Sequence, residues 1–312
     1  ETADCVSIEF EVPASLQQTF SYKQGQNIAI KAQINGQEVR RNYSICSSPL
    51  DHELRVAIKK IKGGVFSTYA NENLHAGDSL EVMPPTGKFF TPLDPAQQKN
   101  YLALAAGSGI TPLLSIIKTT LAIEPHSSFT LVYGNRTRHS IIFFEQLEAL
   151  KNQYMNRFKL IHVLSREKTD SALNFGRIDQ EKLEELTKLI PYQQLDAVFL
   201  CGPREMIGAA MDFLQAKGLD HFFSHVFGGD SFERKKPDPL PLLKTCEALG
   251  VQPSQVLMVG DSSNDAQAAR AAGCPVVLVR YGYNHGEPVD GVDADAHVDT
   301  LTHIAQALAG KA

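Results

Sequence analysis

Tyr101-Leu102-Ala103-Leu104-Ala105-Ala106-Gly107-Ser108-Gly109-Ile110-Thr111-Pro112 decides the fold of much of this chain. It begins as an unbroken apolar run, the pattern of a strand buried on both faces. Small residues then turn the chain, and Pro112 stands in the first turn of a helix, where its missing N–H is not needed. Strand, Gly-x-Gly and helix in that order bring free helix N–H groups to a place where the phosphates of a dinucleotide can lie.

Downstream the alternation continues. The pattern predicts a helix at 112–123, a strand at 129–133, a helix at 140–151, a strand at 158–164, a helix at 179–189, a strand at 195–200 and a helix at 204–217 closed by Gly218. Such alternation gives a parallel sheet covered on both faces, with ligands at the carboxyl ends of its strands. Cys201-Gly202-Pro203 and Ser165-Arg166 fall at those ends.

Upstream the period is two. Val6, Ile8, Phe10 and Val12 alternate, Ile28, Ile30, Ala32 and Ile34 repeat the pattern before the turn pair Asn35-Gly36, and further strands are expected at 54–58 and 79–83. Short strands with turn signals argue for a small antiparallel barrel over about the first 90 residues. Proline-rich stretches at 84–87 and 91–95 read as the linker to the parallel sheet.

Within the barrel, Arg40-Arg41-Asn42-Tyr43-Ser44-Ile45-Cys46-Ser47-Ser48-Pro49 is an extended segment. Arg41 offers a planar, permanently charged fork for a phosphate, Tyr43 a face for a flat ring, and Ser44 a hydrogen bond for its edge. Gly63-Gly64-Val65-Phe66-Ser67-Thr68 adds glycines that admit a close approach, followed by the start of a short helix.

The 312 residues suffice for two or three domains, and the apolar and charged fractions, 43% and 21%, are those of a globular protein. A net charge of −5 leaves no electrostatic footprint for nucleic acid or anionic membrane, and Lys59, Lys60 and Lys62 read as a solvated strand face. No apolar run approaches the ~20 residues of a membrane span and no signal peptide opens the sequence, so a cytoplasmic protein is expected. The cysteines, at 5, 46, 201, 246 and 274, indicate neither a disulfide framework nor a metal cluster. The first strand starts almost at Glu1, and the native N-terminus is expected to be missing.

Past Gly218-Leu219-Asp220 a second alternation begins, with a strand at 226–227, a helix at 239–249, a strand at 256–259, an alanine-rich helix at 262–272 closed by Gly273, a strand at 276–279 and a helix at 300–309.

Taken together, the motifs of residues 1–220 resemble the ferredoxin–NADP reductase superfamily and, within it, the phenylacetyl-CoA epoxidase reductases. Tyr133-Gly134-Asn135-Arg136-Thr137 and Gly176-Arg177-Ile178 add to the match. The resemblance implies an FAD-binding β-barrel at 1–96, an NAD(P)-binding parallel-sheet α/β domain at 97–220, and hydride transfer from nicotinamide to flavin with onward passage to an acceptor. It implies that Arg41, Tyr43, Ser44, Ile58, Gly64, Val65 and Ser67 hold FAD. Gly107, Ser108, Gly109, Thr111, Asn135, Arg136, Cys201, Gly202 and Pro203 would hold the nicotinamide nucleotide. Tyr43, Ser44, Thr111 and Cys201 would lie nearest the transfer. Ser165 and Arg166 resemble the family's site for the 2′-phosphate of NADPH, a preference that the neighbouring Glu167 tempers, so NADH stays open. Two departures accompany the likeness. Relatives continue into a plant-type [2Fe–2S] domain, and no Cys-x4-Cys-x2-Cys spacing exists here, so no cluster is expected. Relatives also end the nucleotide domain with a strand that His221-Phe222-Phe223-Ser224-His225-Val226-Phe227 replaces.

The tail resembles the C-terminal part of phosphoglycolate phosphatases of the haloacid dehalogenase superfamily. It matches at Phe227-Gly228-Gly229-Asp230, Lys235-Lys236-Pro237-Asp238-Pro239, Gly260-Asp261-Ser262-Ser263-Asn264-Asp265 and Ala271-Ala272-Gly273. Asp261 and Asp265 could converge on Mg²⁺, with Lys236 as phosphate ligand. The family's nucleophile comes from an upstream Asp-x-Asp-Gly-Thr that this sequence lacks, and Asp293-Ala294-Asp295 does not replace it. The chain therefore reads as a chimera, a reductase joined at about 220 to a partial Rossmann-like phosphatase fragment (221–312) without phosphatase activity. Two other readings are kept: a Mg²⁺-dependent hydrolase of a small phosphomonoester such as 2-phosphoglycolate, and a fusion whose tail has no enzymatic role. The expected partners are NAD(P)H and an acceptor of open identity, with neither nucleic acid nor membrane.

Overall fold

The structure, a computed structural model, describes residues 1–219, 236–280, 284, 288–300 and 303–304. The motif 227–230, Lys235, the replacement segment 221–227, the expected strand at 226–227 and most of the expected helix at 300–309 lie outside them. The chain divides into two compact units, Glu1–Phe222 and Phe223–Ala312.

The first unit opens with antiparallel sheets. Strand β1 (Cys5–Phe10) pairs with β4 (Leu54–Lys59), while β2 (Asn27–Ile34) lies between β3 (Gln37–Ser44) and β5 (Glu81–Val82). The β2–β3 hairpin turns at Asn35-Gly36, both with positive φ (52° and 75°), the geometry that an Asn-Gly pair accepts most readily. Inward side chains Ile28, Ile30, Ile45, Val56 and Ile58 are wholly buried, each contributing about 1.5–3 kcal/mol by leaving water. Helix α1 (Val65–Glu72) closes this core with Phe66 and Ala70.

A parallel sheet follows, ordered β8 (Phe158–Leu164), β7 (Ser128–Asn135), β6 (Asn100–Ala106), β9 (Ala197–Cys201). Helices α2 (Ile110–Ile123), α3 (Phe144–Gln153), α4 (Gln180–Glu185) and α5 (Arg204–Ala216) connect and cover its strands. Numbered from β6, the order is 3-2-1-4, so the winding reverses between β6 and β9 and opens a crevice beyond their carboxyl ends. The helix expected from 140 begins only at Phe144, because Phe143 sits at φ 62° and Ser140 instead closes a short turn by accepting from the Thr137 N–H (3.1 Å).

Barrel and sheet share a core. Cys5, Cys46 and Ala57 pack in the same buried cluster as Tyr101, Ala103 and Leu113. Polar bonds fix the docking: the Ser115 hydroxyl donates to the Ser47 carbonyl (2.6 Å), and Ser48 and Thr119 share a buried hydroxyl pair (2.9 Å). The proline-rich linker is not a free tether, since Phe89 packs edge-on against Phe199 (5.7 Å) and the Asp94 N–H donates to Glu124 (3.2 Å).

The second unit, as described, has α6 (Leu240–Leu249), β10 (Met258–Gly260), α7 (Ser263–Ala272), β11 (Val276–Val279) and β12 (Ala296–Val298), with a parallel sheet ordered β10-β11-β12. Strand β12 was not expected: three residues including Ala296 and His297 carry no apolar period of their own. Among the described residues β10 pairs on one side only, and its Val259 is 38% exposed.

Candidate functional site

A cleft of about 1210 Å³ opens where barrel and sheet of the first unit meet. The barrel contributes Tyr43, Ser44 and Ser67, and the sheet contributes Gly107, Ser108, Gly109, Thr111, Asn135, Arg136, Ser165, Cys201, Gly202 and Pro203. The carboxyl ends of β6, β7, β8 and β9 thus face the end of β3 across one space.

On the barrel side, Tyr43 leans on Phe66 with ring centroids 5.6 Å apart, which holds its ring at the wall. Burial raises its phenol above the ordinary value, with the Arg41 charge opposing, so the ring is neutral at physiological pH. Arg41 is exposed and donates to the Arg40 carbonyl (2.6 Å) rather than lining the cleft. Gly64 precedes the first turn of α1, and its missing Cβ leaves room for Ser67 Oγ, which a methyl group would approach to 2.4 Å. Val65 projects outward, 49% exposed. Ile58 is placed in the barrel core, with its carbonyl taken by Asn71 Nδ2 (3.0 Å), and its side chain does not line the cleft.

On the sheet side, the crevice is closed by backbone. A Cβ on Gly109 would stand 2.0 Å from the Cys201 carbonyl oxygen, so only glycine fits there. The Thr111 hydroxyl is held by the Ser108 carbonyl (3.0 Å), and the Tyr133 hydroxyl by the Gly107 carbonyl (2.9 Å). Cys201 is half-buried, and burial pushes its thiol up to about 11, so it is a neutral thiol rather than a thiolate at pH 7. Asn135, 8% exposed, lines the cleft with a buried Nδ2 that has no hydrogen-bond partner. An unsatisfied buried donor at a cleft wall suits a polar ligand group.

Beyond the strand ends, β7 and β8 stay paired. The Ser165 N–H donates to the Asn135 carbonyl (2.9 Å) and the Arg166 N–H to the Arg136 carbonyl (2.8 Å), which sets both arginines side by side. The neighbouring Glu167 carboxylate accepts the Arg138 N–H (2.7 Å). Arg166 itself is exposed and outside the cleft lining.

Lys59, Lys60 and Lys62, read as a solvated face, stand at the rim of the cleft with Lys60 and Lys62 exposed, and Arg177 joins them there. Lys59 pairs with Asp4 at 3.5 Å, Lys60 with Glu72, and Arg177 with Glu205 at 3.9 Å. A basic rim around small-residue turns is an environment for an anion.

In the second unit Asp265 lies over Gly260, 5% exposed. Its Oδ1 meets Lys236 Nζ (2.6 Å), and its Oδ2 accepts from the Asp261 N–H (3.0 Å) and the Ser262 hydroxyl (2.8 Å). Burial works to raise this carboxyl, but Lys236 and those donors outweigh it and hold it below the usual carboxylate value. Among the described residues no group of three or more His, Cys, Asp and Glu side chains is placed to hold a metal ion.

These features have counterparts in known proteins. Residues 2–91 match the oxidoreductase FAD-binding domain, and residues 103–212 the oxidoreductase NAD-binding domain. Residues 2–212 carry the FAD-binding and NAD-binding domains of an oxidoreductase. These oxidoreductase domains are similar to a subunit of the 1,2-phenylacetyl-CoA epoxidase of Escherichia coli, 48% identical over 227 residues that make up 72% of this chain and 64% of that protein. The chain therefore spans slightly under two thirds of that relative's length. The solved FAD/NAD-binding domain of a nitric oxide dioxygenase from Vibrio cholerae superposes with a TM-score of 0.61 at 27% identity, over 70% of this chain and 90% of that one. Residues 205–279 match the haloacid dehalogenase-like hydrolases, overlapping the oxidoreductase match within α5. The phosphoglycolate phosphatase of Thiobacillus denitrificans is 53% identical over 92 residues, 30% of this chain and 40% of that protein. No helix among the described residues is long and apolar enough to cross a membrane.

Proposed function

We infer that the first unit is an FAD-dependent NAD(P)H reductase that passes electrons from the nicotinamide through the flavin to an acceptor. The observation that carries this reading is the single cleft onto which Tyr43 and Ser44 of the barrel and Thr111 and Cys201 of the sheet all open. FAD, held between the barrel wall at Tyr43 and Ser44 and the sheet, would supply the redox chemistry that links a two-electron donor to an acceptor. The protein's part is positioning. Tyr43, braced by Phe66, would cover one ring face and Ser44 would meet its edge. Arg41 would exchange its bond to the Arg40 carbonyl for the diphosphate. Gly107, Gly109 and the start of α2 would receive the second nucleotide, with Asn135 Nδ2 as an unused donor. The neutral Cys201 thiol suits the apolar side of a transfer site better than a charged thiolate would.

The paired Arg136 and Arg166 favour NADPH over NADH, since two guanidinium groups can grip a 2′-phosphate. The tail is proposed to be silent as a phosphatase. Asp265 is engaged by Lys236 and two further donors, and the sequence offers no upstream aspartate nucleophile.

Reconstitution with FAD followed by anaerobic addition of NADPH tests the reading. A yellow protein bleached by NADPH, turning over with ferricyanide as artificial acceptor, is expected. A protein that stays colourless after reconstitution ends the proposal. Release of phosphate from 2-phosphoglycolate with Mg²⁺, abolished by Asp261→Asn, would overturn the proposed silence of the tail.

A further inference from the structure

Three carboxylates line the cleft, and two of them are engaged close to home. Asp4 pairs with Lys59 at 3.5 Å, and the Asp179 side chain caps α4 by accepting the Lys182 N–H (2.9 Å). The third, Glu205, meets a cation from another part of the wall: its Oε2 lies 3.9 Å from Arg177 Nη1.

The backbone fixes where this pair lies. Gly176, at φ 118°, donates its N–H to the Leu164 carbonyl at the end of β8 (3.0 Å). The buried Ile178 side chain covers Gly134 near the end of β7, so closely that a Cβ on that glycine would stand 3.1 Å from it. Arg177, held between those two anchors, therefore projects from the β7–β8 side. Glu205 stands in the first turn of α5, which follows the end of β9. Strand β6 lies between β7 and β9, so the ion pair spans the crevice at the carboxyl end of β6, where Gly107-Ser108-Gly109 turns into α2. Both side chains stand in solvent, 77% and 92% exposed, and an ion pair so exposed and so long is weak. Weakness suits a contact that has to open.

We propose that Arg177 and Glu205 form a latch across the path of the nicotinamide nucleotide. The diphosphate of the incoming nucleotide draws Arg177 from Glu205, and Glu205, by competing for that guanidinium, sets how tightly the nucleotide is held. The inference rests on the reading of this cleft as a nicotinamide-nucleotide site. A guanidinium exchanges one long contact to a carboxylate for short, charge-assisted bonds to phosphate oxygens, which favours opening. Glu205 keeps a reason to stay where it is, because a negative charge in the first turn of a helix meets the free N–H groups there. The moving part is Arg177.

The test measures, by calorimetry at low salt and in the presence of FAD, the affinity of the whole chain for NAD⁺ and for NADP⁺. Both residues are exposed, so Glu205→Gln and Arg177→Ala leave the fold intact. Glu205→Gln is expected to tighten both nucleotides about threefold, the release of one exposed ion pair, and the gain should fade at high salt. Arg177→Ala should weaken both about tenfold. In the Arg177→Ala background Glu205→Gln should change nothing, whereas a carboxylate that merely repels the nucleotide would give the same gain in both backgrounds. Equal gains in both backgrounds, unchanged or weaker binding by Glu205→Gln alone, or effects confined to NADP⁺, which would place Arg177 at the 2′-phosphate, would each overturn the latch. A wild-type chain that binds neither nucleotide would end the reading of the cleft itself, and the latch with it.

Discussion

Gly109 and Cys201 meet backbone to backbone: a Cβ on the glycine would stand 2.0 Å from the cysteine's carbonyl oxygen. This contact draws the turn after β6 against the end of β9 and sets the floor of the crevice. Gly109→Ala should destabilise the first unit by about 1–3 kcal/mol, the usual range for overpacking, and should slow reduction by NADPH more than reduction by dithionite. Denaturant unfolding monitored beside the two reduction rates checks both parts.

Ser48 and Thr119 join the barrel to α2 through a buried hydroxyl pair, and Ser48 also caps the short turn at Pro49–Asp51 by accepting from the Leu50 N–H (3.2 Å). Ser48→Ala is expected to cost about 1–2 kcal/mol. A double-mutant cycle with Thr119→Ala should return a coupling of about 0.5–1.5 kcal/mol, and a coupling of zero would mean the pair does not hold the two halves together.

Three thiols of the first unit make its stability sensitive to alkali. Burial pushes Cys5 and Cys201 up to about 11 and Cys46 up to about 12, against an unfolded value of 9.0. A thiol with a raised folded pKa binds its proton more tightly when folded, so its contribution is complete below pH 9.0 and is lost as pH rises from there toward 12. Urea midpoints should therefore fall steadily above about pH 9. Iodoacetamide should modify Cys201 in the folded protein with an apparent pKa near 11.

Arg166→Ala should lower the ratio of kcat/KM for NADPH over NADH by about tenfold, the loss of one charged contact to phosphate. The effect should appear mainly in KM for NADPH, and an unchanged ratio would assign the preference elsewhere.

In the second unit, Asp265→Ala strands the Asp261 N–H and the Ser262 hydroxyl and should destabilise that unit by about 2 kcal/mol. Because the carboxyl is held below its ordinary value of 3.8, its contribution is present above that pH and is lost only as pH falls through the lower folded value. Far-UV circular dichroism in urea, compared at pH 7 and in acid, measures both.

The sheet and its turns were legible because their signals are local. The apolar run 101–105, the Gly-Ser-Gly turn and the Asn-Gly hairpin each carry their geometry in a few adjacent residues. That the lysines at 59, 60 and 62 also border a cleft was not legible, because the end of β4 looks the same whether it faces open water or a cleft; the docking of Ser47 and Ser48 on α2 makes the difference, and that contact spans about seventy residues of sequence. Ile58 shows the converse. Its period placed it correctly in a strand, and its side chain lies wholly inside the core, so any part it takes at the cleft falls to its backbone. Strand β12 was missed because a short edge strand takes its conformation from its neighbour rather than from its own residues.

Helix α5 stops in a closed form: the Gly218 N–H bonds the Gln215 carbonyl (2.9 Å), the Leu219 N–H bonds the Leu214 carbonyl (2.9 Å), Gly218 sits at φ 74° and Leu219 is buried. Among the described residues, the first unit thus closes its last helical turn with its own hydrogen bonds and buries its last apolar side chain there. A helix end sealed in this way does not depend, for its backbone hydrogen bonds, on the sequence that follows it.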